Sequence, residues 1–340
     1  MSNFIKTLLY IIVAILFTLI VIFCYFFVGK ARVHKNITWG VDFSQSQAEY
    51  LKLNWKEVYL SIVSDLNVKN IKLHTNWSWV EGIKDDFYFE DIDWQIKKAK
   101  ENNVKIIYVL GLKTGRWPEC HAPNWLQNLS VEDQQLELLK YIEKVVLRYK
   151  NSNTIAYWQV ENEPLFKFGE CPSWYYQSDD FLKKEVDLVK SLDPSGKIII
   201  SDSGEQSMWF NAAKIGDIVG VTTYRNVWIH ITNTFGFSTS FPLKPIFYAR
   251  KAEIIKKIYN KNVIGIELQA EPWMSKPLMK ASVEEHLKSM NLEKFKSNVE
   301  FAKKTGFDTF YFWGVEWWYW LKNVKNDPSI WEEAKQLFKN

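Results

Sequence analysis

The chain has 340 residues, of which 47% are hydrophobic and 24% are charged, and this composition is sufficient for one large core or two ordinary domains. The formal net charge of +4 is dispersed, without a basic stripe interleaved with aromatic residues, which argues against a nucleic-acid partner. The 17 Trp are unusually many, and several fall in loop-like segments where an indole beside carboxylates suits stacking on a sugar, although a core location is the alternative for any one of them.

An uncharged apolar run near the amino terminus predicts a transmembrane helix over residues 7–28. A short tail, residues 1–6, precedes it, and a polar linker, residues 29–36, leads into a globular domain at 37–340. The run is longer than a usual signal-peptide core and no small-x-small cleavage site follows it, so we expect an uncleaved signal anchor in a lipid bilayer; a cleaved signal peptide is the alternative. The positive-inside rule decides little here, and we expect the domain to lie outside the cytoplasm.

From residue 37 onward, a pattern of strand followed by helix repeats to the end of the chain. The strands are predicted at residues 38–43, 70–74, 104–112, 155–164, 197–201, 217–224, 262–268 and 308–314. The helices are predicted at residues 47–66, 91–103, 131–150, 180–192, 205–214, 246–259, 292–304 and 329–338. This alternation predicts an α/β protein with a (β/α)8 barrel, and a doubly wound open sheet is the alternative, which lacks a glycine-rich phosphate loop after strand one.

Two carboxylates stand out at the carboxyl ends of the predicted strands, where the active sites of such barrels lie. Glu163 ends strand four, where Pro164 cannot continue the ladder, and Glu267 ends strand seven. These strands lie on facing sides of a barrel, so the two side chains can converge across its mouth. A separation of about 5 to 5.5 Å suits a double displacement at a sugar carbon. Glu271 is the rival for the attacking carboxylate, although it lies beyond the predicted strand end.

These features resemble the clan A retaining glycoside hydrolases, especially the cellulase-like family 5 and its relatives. The motifs that carry the resemblance are Asn162-Glu163-Pro164, Glu267, Trp313-Gly314 and the stretch of residues 71–81, and the likeness runs from about residue 39 to the end. It implies that Glu163 is the general acid/base and Glu267 the nucleophile. It also implies that Asn162 binds the sugar 2-hydroxyl, Tyr224 contacts the nucleophile and Trp313 forms a sugar platform.

The chain departs from the clan pattern at two positions near the predicted nucleophile. Many relatives carry Arg at the end of strand two, where this chain has Lys72, and His two residues before Tyr224, where it has Thr222. Both departures concern the groups that support the nucleophile, and neither removes a carboxylate.

Further residues near the predicted mouth are candidates for sugar contacts or for a covalent cross-link. Trp77, Trp117 and His121 are candidate substrate-binding residues. Cys120 and Cys171 follow neighbouring strands, so a disulfide is expected if the domain is exported. The His and Cys residues show no zinc-ligand spacing, and we predict neither a metal nor a cofactor.

The sequence therefore predicts a membrane-anchored retaining glycosidase that acts on the β-glycosidic bonds of an oligo- or polysaccharide. The alternative is a non-catalytic carbohydrate-binding barrel that kept the Trp-lined cleft. The two carboxylates favour the enzyme, and no protein partner is predicted.

Overall fold

The computed structural model of the protein describes residues 3–34, 36–176, 179–230 and 236–339. The remaining positions include Met1 and Ser2 of the predicted tail, Lys35 of the predicted linker and Asn340 at the predicted domain end, so these ends of the predicted segments lie outside the described residues.

In the part of the chain that the structure describes, eight parallel strands close into a barrel in the order β1-β10-β9-β6-β5-β4-β3-β2. The strands are β1 Thr38–Ser44, β2 Asn70–His74, β3 Lys105–Leu110, β4 Ile155–Val160, β5 Ile198–Ser203, β6 Ile218–Thr223, β9 Asn262–Gln269 and β10 Thr309–Trp313. Between β6 and β9, an antiparallel pair, β7 Asn226–His230 and β8 Gly236–Ser240, projects from the carboxyl end of the barrel. The predicted (β/α)8 barrel is confirmed, and the open-sheet alternative is wrong because β1 pairs with β10 and closes the sheet.

Helices cover the outside of the barrel and fill several of its loops. They are α1 Asn3–Phe27, α2 Gln45–Tyr50, α3 Trp55–Ser64, α4 Trp77–Val80, α5 Glu90–Glu101, α6 Val131–Tyr149, α7 Asp179–Leu192, α8 Phe210–Ile215, α9 Pro245–Tyr259, α10 Val283–Ser289, α11 Leu292–Lys303, α12 Val315–Val324 and α13 Ser329–Leu337. Several begin at residues suited to that place: Ser130 caps α6, Asn291 caps α11, and Pro245 opens α9. The apolar faces of these helices pack on the strands and form the main core.

Two predicted helices differ from the structure for local reasons. The single helix predicted at residues 47–66 is two helices, because Lys52 adopts a left-handed conformation and the side chain of Asn54 starts α3 by accepting from the N–H of Lys56 at 3.1 Å. The helix predicted near residues 205–214 begins only at Phe210. Before it, Trp209 is left-handed and its N–H donates to the hydroxyl of Ser207 at 3.0 Å, which holds this stretch in a turn.

The interior of the barrel is a small separate core below the mouth. Ile107, Ile199, Ile264, Ile266 and Tyr311 point inward from their strands and pack together. Nearer the carboxyl ends of the strands, the inward-pointing residues are polar. The apolar cluster therefore closes the interior of the barrel, and the polar side chains lie at its carboxyl-terminal opening.

The helix α1 is long and apolar enough to cross a membrane over Phe4–Phe27, a test that a signal sequence near an amino terminus also passes. Its last turn touches the barrel. The rings of Phe26 and Phe27 pack against Phe247 in the first turn of α9, with centroids 5.7 and 5.4 Å away.

Candidate active site

Glu267 lies in β9 near the carboxyl end of the barrel, and its carboxylate is held from two sides. The Nζ of Lys72, on β2, donates to Oε1 at 2.6 Å, and the hydroxyl of Tyr224, which directly follows β6, donates to Oε2 at 2.7 Å. Lys72 and Glu267 are buried and Tyr224 is half-buried, so the ammonium lies opposite the carboxylate in a medium of low dielectric constant. The Tyr224 contact is the one that the resemblance implies.

Glu163 lies just beyond β4, and its carboxyl group accepts a hydrogen bond from a residue near the carboxyl end of β6. The hydroxyl of Thr222 donates to Oε1 at 2.8 Å. Burial, and then the negative charge of Glu267, raise the pKa of Glu163 to about 7, against the opposing effects of Lys113 and Thr222. Thr222 therefore contacts the predicted acid/base, although the sequence suggested a position that supports the nucleophile.

The chain turns sharply where it delivers these residues. Glu161 and Glu163 have φ values of 60° and 45°, in the left-handed region, with Asn162 between them. The N–H of Glu163 donates to the hydroxyl of Ser201 at 2.7 Å, and Oδ1 of Asn162 accepts from the Nε2 of Gln159 at 3.1 Å. Oδ1 of Asn162 also lies 3.5 Å from the Nζ of Lys72, so Asn162 and Glu267 share one cation.

A second charged group, centred on Arg116, lies at the same mouth. Its Nη1 is paired with Oε1 of Glu271, and its Nη2 donates to Oε2 of Glu316 at 2.9 Å. The guanidinium carbon lies 3.9 Å from the ring centroid of Trp313, whose Nε1 donates to Glu271 at 2.7 Å. Glu271 thus contacts Arg116 and Trp313, whereas Glu267 contacts Lys72 and Tyr224.

The chain can now be compared with known proteins. The model of glycosyl hydrolase family 10 matches residues 48–336, which is most of the chain. The chain belongs to this family. The resemblance to clan A retaining glycoside hydrolases is thereby confirmed, and the enzyme class predicted from the sequence is that of family 10.

Named relatives of the family 10 chain are distant. A probable mannan endo-1,4-beta-mannosidase A from Aspergillus clavatus is 25% identical over 123 residues, a segment that spans 33% of this chain and 32% of that protein. The xylanase 10B of Thermotoga petrophila, solved with xylobiose, is 16% identical with a TM-score of 0.57 and covers 89% of this chain and 94% of its own. A glycosylated endo-beta-1,4-xylanase from Gloeophyllum trabeum is 16% identical with a TM-score of 0.58, over 90% and 97% of the two chains. At these identities, the likeness to solved structures shows the fold.

The predicted aromatic contacts of this family 10 chain differ in their exposure. Trp77 is 0% exposed: its Nε1 donates to Glu81 at 2.8 Å and its ring stacks on Tyr141, so the indole is enclosed in the core. Trp313 is 8% exposed, with Arg116 over one face. Trp117 is 64% exposed and offers an open ring at the rim.

The loops after β3 and β4 are joined covalently. Cys120 and Cys171 form a disulfide across a sequence separation of 51 residues. His121, next to it, is buried and its Nε2 lies 2.9 Å from the carbonyl oxygen of Gly115, so this imidazole braces the loop that carries Arg116.

Two buried residues at the family 10 mouth had no role in the sequence analysis. The Nζ of Lys113 donates to the carbonyl oxygens of Glu163 at 3.0 Å and Phe166 at 2.9 Å, so it fixes the backbone of the predicted acid/base. Glu119 lies nearby, and burial raises its pKa to about 8. The sequence feature that could have identified Lys113 is its position, since it is a charged residue directly after the long apolar run of strand three.

Asp42, His74 and Glu267 each place one potential metal-ligand atom within 4.8 Å of the others. The Nζ of Lys72 lies 2.6 Å from Glu267 and 3.9 Å from Asp42, so a lysine ammonium supplies the positive charge at this position.

Proposed function

We propose that this family 10 chain hydrolyses β-1,4-glycosidic bonds of a polysaccharide or oligosaccharide with retention of configuration, with Glu267 as nucleophile and Glu163 as general acid/base. The observation that carries the proposal is the asymmetry of the two carboxyl groups. Glu267 faces the ammonium of Lys72, whereas the pKa of Glu163 is raised to about 7.

In the first half of the proposed reaction, Glu267 attacks the anomeric carbon and the glycosidic bond breaks. Glu163 gives its proton to the departing oxygen, which leaves as an alcohol, and an ester joins Glu267 to the sugar. The ester cancels the negative charge of Glu267, so the pKa of Glu163 falls during this step. Tyr224 and Lys72 keep the attacking carboxylate oriented.

In the second half, Glu163 is ionised and accepts a proton from water, which attacks the anomeric carbon and releases Glu267. One carboxyl group thus serves as acid and then as base. Asn162 is proposed to hold the sugar 2-hydroxyl, because its amide oxygen lies 3.5 Å from the Nζ of Lys72, which also holds Glu267.

The substrate class is proposed from the names of the relatives. One is a mannan endo-1,4-beta-mannosidase and another an endo-beta-1,4-xylanase, so the shared chemistry is a β-1,4-linked pyranose chain. The exposed ring of Trp117 at the rim suits stacking on one unit of such a chain.

We further propose that α1 anchors the protein in a lipid bilayer with the barrel outside the cytoplasm. Two features support this: the apolar span of Phe4–Phe27 and the disulfide, which is typical of oxidising compartments. Alkaline carbonate extraction of membranes should leave the full-length chain in the pellet, and external protease should digest the barrel of intact cells. A soluble, protease-protected chain would contradict the anchor.

The catalytic proposal is tested by trapping the ester. The detergent-solubilised full-length chain is incubated with activated 2-deoxy-2-fluoro xylosides, xylobiosides, mannosides and glucosides, and the labelled peptide is mapped by mass spectrometry. We expect one label on Glu267 and none in Glu267→Gln. A label on Glu271 would overturn the site assignment, and sugar binding on a glycan array without any label or hydrolysis would favour a non-catalytic carbohydrate-binding barrel.

A further inference from the structure

A pair of carboxyl groups is buried behind the strand that carries Asn162 and Glu163. Glu161, which directly follows β4, is 0% exposed, and Glu185, in α7, is 1% exposed. The two carboxyl groups are hydrogen-bonded to each other. Two buried carboxylates in contact cannot both be ionised, so this pair holds a proton.

Glu161 is the ionised member, because its oxygens receive several donors. The N–H groups of Leu112 and Lys113, beyond the end of β3, donate to Oε1 at 2.7 Å and to Oε2 at 2.5 Å, and the hydroxyl of Tyr175 donates to Oε2 at 2.8 Å. Gly111 permits this approach, since a Cβ there would lie 2.2 Å from Oε1 of Glu161.

Glu185 is the protonated member. Its Oε1 has no hydrogen-bond partner among the residues that the structure describes, and its carboxyl group is hydrogen-bonded to that of Glu161. Burial, followed by the negative charge of Glu161, raises the pKa of Glu185 well above its ordinary value. An ionised Glu185 would place a second negative charge against Glu161 with no compensating donor.

Glu161 connects this pair to the proposed catalytic residues. Its own N–H donates to the carbonyl oxygen of Leu110 at 2.8 Å, and the N–H of Asn162 donates to that of Lys113 at 2.5 Å. The turn in which Glu161 and Glu163 are left-handed is therefore hydrogen-bonded to the end of β3 both through its backbone N–H groups and through the carboxylate of Glu161. Release of the carboxylate would free the segment that aims Asn162 and Glu163.

We propose that Glu185 is a positioning residue whose protonated carboxyl group holds Glu161, and through it Asn162 and Glu163, and that loss of this proton at alkaline pH releases the end of β4. The inference rests on the proposed roles of Asn162 and Glu163.

Other titratable groups surround the pair. Tyr175 lies in the loop before α7, Lys113 follows β3, and Tyr141 faces Glu161 from α6. Burial raises the pKa of Tyr175 and of Tyr141 above the ordinary value, so both phenols stay neutral. The charge of Lys113 favours ionised Glu161, so the proton remains on Glu185.

The test follows kcat and KM against pH for the full-length chain on an aryl glycoside with a good leaving group, which needs no proton from Glu163. We expect the wild type to lose kcat at alkaline pH, while Glu185→Gln, whose amide donates at every pH, retains kcat there. Glu185→Leu should lower kcat at least about tenfold at neutral pH with a smaller change in KM, since the hydrogen bond to a charged group is lost. Equal pH profiles in wild type and Glu185→Gln would overturn the proposal.

Two further variants test the proposal if Glu185→Leu does not fold and control for the effect of replacing a glutamate elsewhere. If Glu185→Leu does not fold, Tyr175→Phe removes a donor from the same carboxylate with little change of shape, and it should lower kcat at least about threefold; an unchanged kcat would contradict the proposal. Glu137→Gln, on α6, changes a buried glutamate whose partners are the exposed Lys84 and Lys140; it is the matched control and should leave the pH profile unchanged.

Melting temperature against pH separates this inference from the proposed function. In an inactive Glu163→Gln background, stability should still fall as pH rises, because the folded state retains the Glu185 proton that the unfolded state has lost. Adding Glu185→Gln should flatten that fall. If the fall is flattened but Glu163 variants hydrolyse ordinary substrates normally, the proposed role of Glu163 fails while the carboxyl pair stands.

Discussion

The Nζ of Lys72 lies 2.6 Å from Oε1 of Glu267, although 195 residues separate them in the chain. A lysine presents one point charge, whereas an arginine presents a planar fork of donors. Here the hydroxyl of Tyr224 donates to the second oxygen of Glu267. One ammonium and one phenol therefore donate to the two carboxylate oxygens, a pair of hydrogen bonds that a single guanidinium could make alone.

Replacing Lys72 by Met should remove the cation that faces Glu267. Without it, the carboxylate that attacks the sugar would be buried with no cation facing it, so the reaction should be slower. We expect kcat/KM to fall by about 10- to 100-fold, the value of a charge-assisted hydrogen bond of about 1.5–3 kcal/mol.

Lys190→Met is the control for Lys72→Met, because Lys190 pairs with Asp217 at a partly exposed position away from the mouth. It should leave kcat/KM unchanged. A kcat/KM in Lys72→Met equal to that of the wild type would contradict the proposed electrostatic role.

Replacing Thr222 by Val should alter the proposed acid/base selectively. The hydroxyl of Thr222 stabilises the ionised form of Glu163, so its removal should raise the pKa of Glu163 above about 7. Since the acid must be protonated, the alkaline limb of kcat/KM on an unactivated substrate should move to higher pH. A shift of the alkaline limb to lower pH would contradict the proposed stabilisation of ionised Glu163 by Thr222. Thr223→Val, one residue further along β6, is the control.

Replacing Arg116 by Met should destabilise the barrel mouth in a pH-dependent way. Glu271 and Glu316 would lose their cation while buried, which costs about 3–5 kcal/mol. Burial already raises the pKa of Glu316 to about 7, and without the guanidinium it would rise further in the folded state, so the loss of stability should be larger at alkaline than at acidic pH.

Urea unfolding at several pH values checks the Arg116 prediction. Arg148→Met breaks an ion pair with Asp93 in which both side chains are exposed, and it should cost less than about 1 kcal/mol at any pH. A loss for Arg116→Met that does not depend on pH would contradict the explanation.

Trp77 and Trp117 should give opposite results when changed to Ala. Trp77 is enclosed by Tyr141 and Trp125, so its loss should cost about 3–5 kcal/mol of stability. Trp117→Ala should change stability by less than about 0.5 kcal/mol and raise KM about two- to tenfold on long substrates, by loss of stacking. An unchanged KM for Trp117→Ala would remove Trp117 from the proposed substrate contacts.

The barrel could be predicted from the sequence because most of its strands contain a short apolar run and these runs alternate with amphipathic helical segments along the chain. The helix α12 was missed since Trp317, Trp318 and Trp320 are all buried around it, which leaves no polar face to reveal a helical period. The pair β7 and β8 was missed as well, within a connection read only as a long aromatic loop.

The candidate site was predictable where strand ends and motifs mark it, as for Glu163 and Glu267. It was not predictable where the contacts depend on the packing of distant loops. Arg116 binds Glu316, which is 200 residues away in the sequence. The guanidinium also lies over the ring of Trp313, and this contact depends on the conformation of the loop that carries Arg116. The burial of Trp77 was not predictable either, because its position after a strand end does not reveal that its ring is buried in α4.

The disulfide between Cys120 and Cys171 makes a covalent ring of the segment that contains α6, β4, Asn162 and Glu163. A protease that cuts once at exposed Lys167 opens the backbone but releases no fragment, because both new ends remain tied to the barrel through the sulfur bridge. Cleavage of the backbone within this ring therefore does not by itself separate the two halves of the chain. Their separation also requires a reductant that breaks the disulfide.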